Sequence, residues 1–96
     1  MEITKEKISN WKAKYGEVFC YEVDGKIAYL KRPDRKTLSL SSVIGKEDPM
    51  KYNEVLLKYC WLGGDIEIQK EDKYFLGISS TLSELVEIKA GQLKKI

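Results

Sequence analysis

Apolar positions along the chain switch between helical and strand periodicity, and the switches mark the elements. Ile8, Trp11 and Tyr15 follow one another at spacings of three and four, which puts them on one helical face. Thr4 stands where an N-cap is wanted, Ile3 and Ile8 hold the two positions of a hydrophobic staple, and Gly16 suits the closing residue. The pattern therefore predicts a helix over about 5–15, either docked on the core or free as an arm. Val18-Phe19-Cys20-Tyr21-Glu22-Val23 and Lys26-Ile27-Ala28-Tyr29-Leu30-Lys31 are rich in β-branched and aromatic residues and are separated by Asp24-Gly25. Asp-Gly supplies the positive φ angles of a type I′ turn, whose twist matches that of its strands, so this stretch reads as a β-hairpin. A lone two-stranded ribbon is marginal in water, and helices must cover one of its faces.

Beyond the hairpin the period becomes helical. Asp34 caps a predicted helix over about 35–44, in which Leu38, Leu40, Val43 and Ile44 are diluted by Ser39, Ser41 and Ser42, and Gly45 closes it. Asp48-Pro49 then opens a helix over about 49–61, with aspartate at the cap and proline where its missing N–H costs nothing. Tyr52, Val55, Leu56 and Tyr59 form its core-facing stripe, while Leu57 and Trp61 fall on nearly the opposite side. Either this helix is buried on both faces or the edge around Leu57, Trp61 and Leu62 meets a partner. Leu62-Gly63-Gly64-Asp65 reads as a helix stop, and Ile66-Glu67-Ile68 as an extended connector or a short third strand. Phe75, Ile78, Leu82, Leu85 and Val86 share one face of a predicted helix over about 71–88, with a break near Ser79-Ser80-Thr81 as the alternative.

Length and composition narrow the picture further. A chain of 96 residues holds one hydrophobic core, and size scaling gives a folded surface of roughly 5,600 Å². We read one α+β domain over 1–96: an N-terminal helix or arm (1–16), the hairpin (17–32) and a helical part (33–96), with the helices packed on one sheet face. With 43% hydrophobic and 33% charged residues the chain is too apolar for disorder and too charged to span a bilayer. Seventeen basic residues against 15 acidic give a net charge of +2, which argues against a polyanionic partner. The one basic cluster, Lys31, Arg32, Arg35 and Lys36, has no glycine-rich cradle or aromatic platform; under the alternative of a small nucleic-acid-binding or regulatory module, these residues would contact phosphate. No histidine is present, so Ser41 has no imidazole base, and Ser41, Glu22 and Lys36 read as ordinary surface positions; the expectation is a protein that is not an enzyme. Asp65, Glu67, Glu71 and Asp72 lack the spacing of a calcium loop, and no metal or cofactor is expected. Cys20 and Cys60 sit in apolar segments and read as reduced core residues, and the charged N-terminus has no signal-peptide character, which together place the chain in a cytoplasm.

The order of these features carries a resemblance. A hairpin reading Glu22-Val23-Asp24-Gly25-Lys26-Ile27-Ala28-Tyr29, then Arg32-Pro33, then Asp48-Pro49, then Asn53-Glu54-Val55-Leu56-Leu57 running into Cys60-Trp61-Leu62-Gly63-Gly64-Asp65, resembles the small tail assembly chaperones of tailed bacteriophages and prophages. The resemblance spans about residues 15–96. It implies a non-enzymatic protein that binds the helix-prone tape measure protein in the bacterial host cytoplasm and keeps it soluble until tail tube subunits polymerise around it. No cofactor is implied; the tail tube protein and a second copy of the chain are further partners to consider, and a structural virion protein is the neighbouring reading.

Overall fold

In the computed structural model, which describes residues 3–96, the chain reverses at Asp24 and Gly25 with φ angles of 48° and 74°. Both are positive, as a type I′ turn requires. The flanking strands β1 (Val18–Val23) and β2 (Lys26–Lys31) pair antiparallel, from Val18 opposite Lys31 to Val23 opposite Lys26. From across the fold the Tyr74 hydroxyl donates to the Asp24 carboxylate at 3.2 Å, tying the turn to the helical layer.

A third strand does form, but it lies before Ile66-Glu67-Ile68 and not at that alternation. Strand β3 is Trp61–Gly64, antiparallel to β2, so the sheet order is β1-β2-β3. The two glycines that read as a helix stop extend the sheet instead. Gly64 has φ 130°, outside the range that side chains favour, and a Cβ there would run into the Ile27 carbonyl and lie 2.8 Å from Ala28 Cα. Asp65 then finishes the ladder from both ends: its amide donates to the Ile27 carbonyl at 2.8 Å, and its carboxylate accepts from the Ile27 amide at 2.8 Å. Ile66-Glu67-Ile68 runs into a short helix, and Ile68 is fully buried.

The helices are α1 (Lys5–Tyr15), α2 (Arg35–Ile44), α3 (Pro49–Cys60), α4 (Glu67–Lys70) and α5 (Asp72–Ser79), followed by a 3-10 turn, Leu82–Leu85. This is the α+β arrangement expected, with helices on both sheet faces rather than one. Thr4, Asp34 and Asp48 cap α1, α2 and α3 as their positions predict, accepting from the amides of Lys7, Thr37 and Met50 at 3.2, 2.8 and 3.0 Å. The core joins Ala28 and Leu30 of the sheet to Leu56, Leu57, Cys60, Ile68, Phe75, Ile78, Leu82 and Leu85, with Phe19, Tyr21, Val23, Leu38, Tyr52 and Trp61 packed around it. Helix α1 lies over the other sheet face. The Trp11 ring is 5.8 Å from that of Tyr29, a Cβ on Gly63 would sit 3.1 Å from both Trp11 and Ile3, and the Lys31 ammonium stands 4.5 Å from the Tyr15 ring centre. No residue of α1 is fully buried, so this layer is held by partial contacts.

Two helical expectations are corrected. In α3 the buried residues are Leu56, Leu57 and Cys60, whereas Tyr59 of the predicted stripe is 48% exposed. Helix α3 meets α2 on one flank and α4 and the 3-10 turn elsewhere, so its buried arc is wider and turned from the predicted one. The single helix over 71–88 is replaced by its alternative, a break after Ser79. The Ser79, Ser80 and Thr81 hydroxyls donate to the carbonyls of Phe75, Gly77 and Ile78 at 2.7, 2.8 and 2.8 Å, satisfying acceptors that a continuing helix would have used. Residues 87–96 are exposed throughout, which helps raise the accessible surface to 7323 Å² above the roughly 5,600 Å² of a globule this size.

Substituting Gly64→Ala is expected to destabilise the domain by about 1–3 kcal/mol through forced displacement of β2. Gly91→Ala, with nothing within 4 Å, serves as the neutral control. Urea midpoints at equal slope measure both.

Candidate functional site

The structure separates the residues that the sequence grouped. Leu57 is 1% exposed and belongs to the core, which corrects its assignment to a partner surface. Trp61 and Leu62 are half-buried in β3, and Trp61 packs against the core cluster. A helix with neighbours on several sides accounts for the surplus apolar residues without a partner.

The basic cluster disperses as well. The Arg32 guanidinium bonds the Glu17 carboxylate through Nε at 2.7 Å and Nη2 at 2.5 Å, donates from Nη1 to the Leu85 carbonyl at 2.9 Å, lies 3.3 Å from Glu87 and stacks 4.7 Å from the Phe19 ring centre. Arg32 thereby joins the entry to β1, the exit from β2 and the end of the 3-10 turn. Lys31 turns to the opposite sheet face, against Tyr15 of α1. Only Arg35 and Lys36, in the first turn of α2, remain exposed and free of an ion pair among the described residues. Four charges therefore do not converge on one phosphate.

An exposed apolar stripe on α2 is the stronger candidate. Asp34 sets the start of this helix, and Leu38 and Ser41 turn inward, Ser41 fully buried with its hydroxyl donating to the Thr37 carbonyl at 2.8 Å. At roughly 100° per residue, Leu40, Val43 and Ile44 then share an outward arc about 100° wide. They are 37%, 72% and 47% exposed. Arg35, Lys36 and Ser39 join Leu40 and Val43 around a shallow hollow on this face. The face thus carries apolar residues at i, i+3 and i+4 with two cations at its N-terminal end. The signal was present in the sequence: Leu38 and Leu40, two apart, lie on different sides of a helix. Ser41 concealed it, since a serine suggests the solvent side.

Neither cysteine is activated as a thiolate. Cys60 is buried, and its desolvation pushes the thiol up to about 11, well above its ordinary 9.0. Cys20, expected in the core, is exposed on the outward side of β1; partial desolvation and then the Glu22 charge raise its thiol too. Among the described residues no three Cys, Asp or Glu side chains gather as a metal site, and no helix is long and apolar enough to cross a membrane. No protein-family model, curated protein or solved structure matches the chain.

Arg32→Ala is expected to cost about 1–2 kcal/mol, mostly from the Leu85 carbonyl and the Phe19 ring, because water screens the exposed carboxylates. Arg32→Lys restores the charge but not the fork and recovers only part of that loss in urea unfolding. In alkylation, Cys20 reacts in the folded protein and Cys60 only on unfolding. The neutral-thiol contribution of Cys60 to stability is complete below pH 9.0 and disappears as the pH climbs toward about 11.

Proposed function

We propose that this protein is a non-enzymatic tail assembly chaperone of a tailed phage or prophage, acting in the bacterial cytoplasm to hold the tape measure protein soluble until the tail tube forms. The reading rests on the resemblance of residues 15–96 and on one structural observation, the exposed Leu40-Val43-Ile44 stripe of α2. A long helical partner kept from aggregating presents apolar residues at helical spacing, and a ridge of the same spacing fits between them. Exposed apolar residues clustered on one face mark contact surfaces more often than scattered ones do. Binding of this kind needs neither a nucleophile nor a cofactor. The contact surface is thus proposed on α2, in place of the edge at Leu57.

Co-expression with the tape measure protein encoded nearby tests the reading. The expected result is soluble tape measure protein that co-purifies with this chain. Leu40→Asp with Val43→Asp, both exposed, leaves the circular dichroism spectrum and urea midpoint near those of the parent and abolishes the rescue. Rescue that survives this double substitution would remove α2 from the proposal, and no rescue by the parent chain would remove the chaperone function.

A further inference from the structure

We infer that two copies of this chain pair through the free edge of β1, antiparallel about a two-fold axis at Cys20, to make one continuous six-stranded sheet. A two-residue hairpin makes Val23 and Lys26 a hydrogen-bonded pair, and the alternation then assigns Tyr21 with Ala28 and Phe19 with Leu30 to the same kind. Val18, Cys20 and Glu22 therefore direct their N–H and C=O groups away from β2. Ile27, opposite Glu22, confirms the alternation by sending its own pair outward to Asp65. Strand β1 pairs only with β2, and no other backbone group among the described residues takes these three. The edge also lacks proline, lysine and a bulge, three of the usual means of keeping such an edge single, and carries one charge, Glu22.

The occupant that fits is a second β1. A two-fold axis perpendicular to the sheet preserves its faces, so residues of equal parity must oppose one another. Centred on Cys20, it sets Cys20 against the partner's Cys20 and Val18 against the partner's Glu22, closing about six hydrogen bonds from the outward groups alone. Side chains agree with this register. Phe19 meets the partner's Tyr21 in the closer, non-hydrogen-bonded type of pair, twice by symmetry, on the face where both rings are half-buried in the single chain. Leu30, Thr81, Glu84 and Leu85 join these rings around a hollow along the edge, open to receive the partner's ring. On the other face the partner's Glu22 stands over Val18, next to Lys31, which pairs with Val18 across β2. Centring on Tyr21 instead would bring the two Glu22 residues to diagonal positions and pair Val18 with Asp24 in the turn. The α2 stripe takes no part in this contact.

Sedimentation of the full chain from micromolar to millimolar concentration tests the pairing, with a rise from 11.1 kDa to twice that mass expected. Cys20→Pro removes an amide that β2 does not use, so the monomer stays folded by circular dichroism. Dimerisation weakens by about tenfold or more as the two central bonds are lost. Under reducing conditions a short bismaleimide is expected to link Cys20 to Cys20, whose Cα atoms lie about 5.5 Å apart in this register. Cys20→Ser removes the link and leaves the sedimentation unchanged. The cross-link reads the register whether or not the proline variant folds. A chain monomeric at every concentration, a dimer that forms no Cys20 link, or one that Cys20→Pro leaves intact overturns the inference.

Discussion

The fold depends on keeping strand β2 paired on both edges and covered on both faces. A hairpin alone leaves one edge of β2 open and is marginal in water. Trp61–Gly64 supplies the missing neighbour directly from the end of α3, with no intervening loop, so the position of α3 and the third strand are one decision. Once β3 is in place, the paired glycines serve two faces. Gly64 lets the backbone close against Ile27 and Ala28, and Gly63 leaves the flat on which Ile3 and Trp11 rest. Ala28, opposite Gly64, is fully buried.

Around this centre the chain is fastened by polar groups placed at its seams. Asp65 holds Ile27, Tyr74 holds the hairpin turn, and Arg32 gathers Glu17, Glu87 and the Leu85 carbonyl at the sheet's far end. These fasteners explain why the basic and acidic residues that looked like candidate ligands do not form a site. Arg32 and Asp65 are partnered where two elements meet, Arg35 and Lys36 stay exposed on α2, and two surfaces are left over: the α2 stripe and the edge of β1.

Local signals were legible wherever a short-range rule fixed the outcome. The caps at Thr4, Asp34 and Asp48 and the Asp24-Gly25 turn follow from residue type and position alone, and the hairpin and first helices follow from them. Long-range pairing was not legible in the same way. Nothing local distinguishes Gly63-Gly64 as a helix stop from Gly63-Gly64 as a strand, because the deciding contact is with Ile27 and Ala28, more than thirty residues earlier. The break after Ser79 was readable as an alternative, though its hydroxyls act on carbonyls of the preceding turn and not on the amides of a new one. For the candidate surface, the apolar residues of α2 were visible, but a buried serine and a many-sided α3 inverted the inference about which side faced solvent.

The two tryptophans divide the molecule optically. Trp61 packs with the main core, while Trp11 lies across the sheet over Tyr29 and Gly63 on a helix with no fully buried residue. Emission from Trp61 reports the integrity of the core, and emission from Trp11 reports whether the first helix is seated. A chain with either indole replaced by phenylalanine thus separates undocking of the outer layer from global unfolding, two events that a single wild-type spectrum would merge.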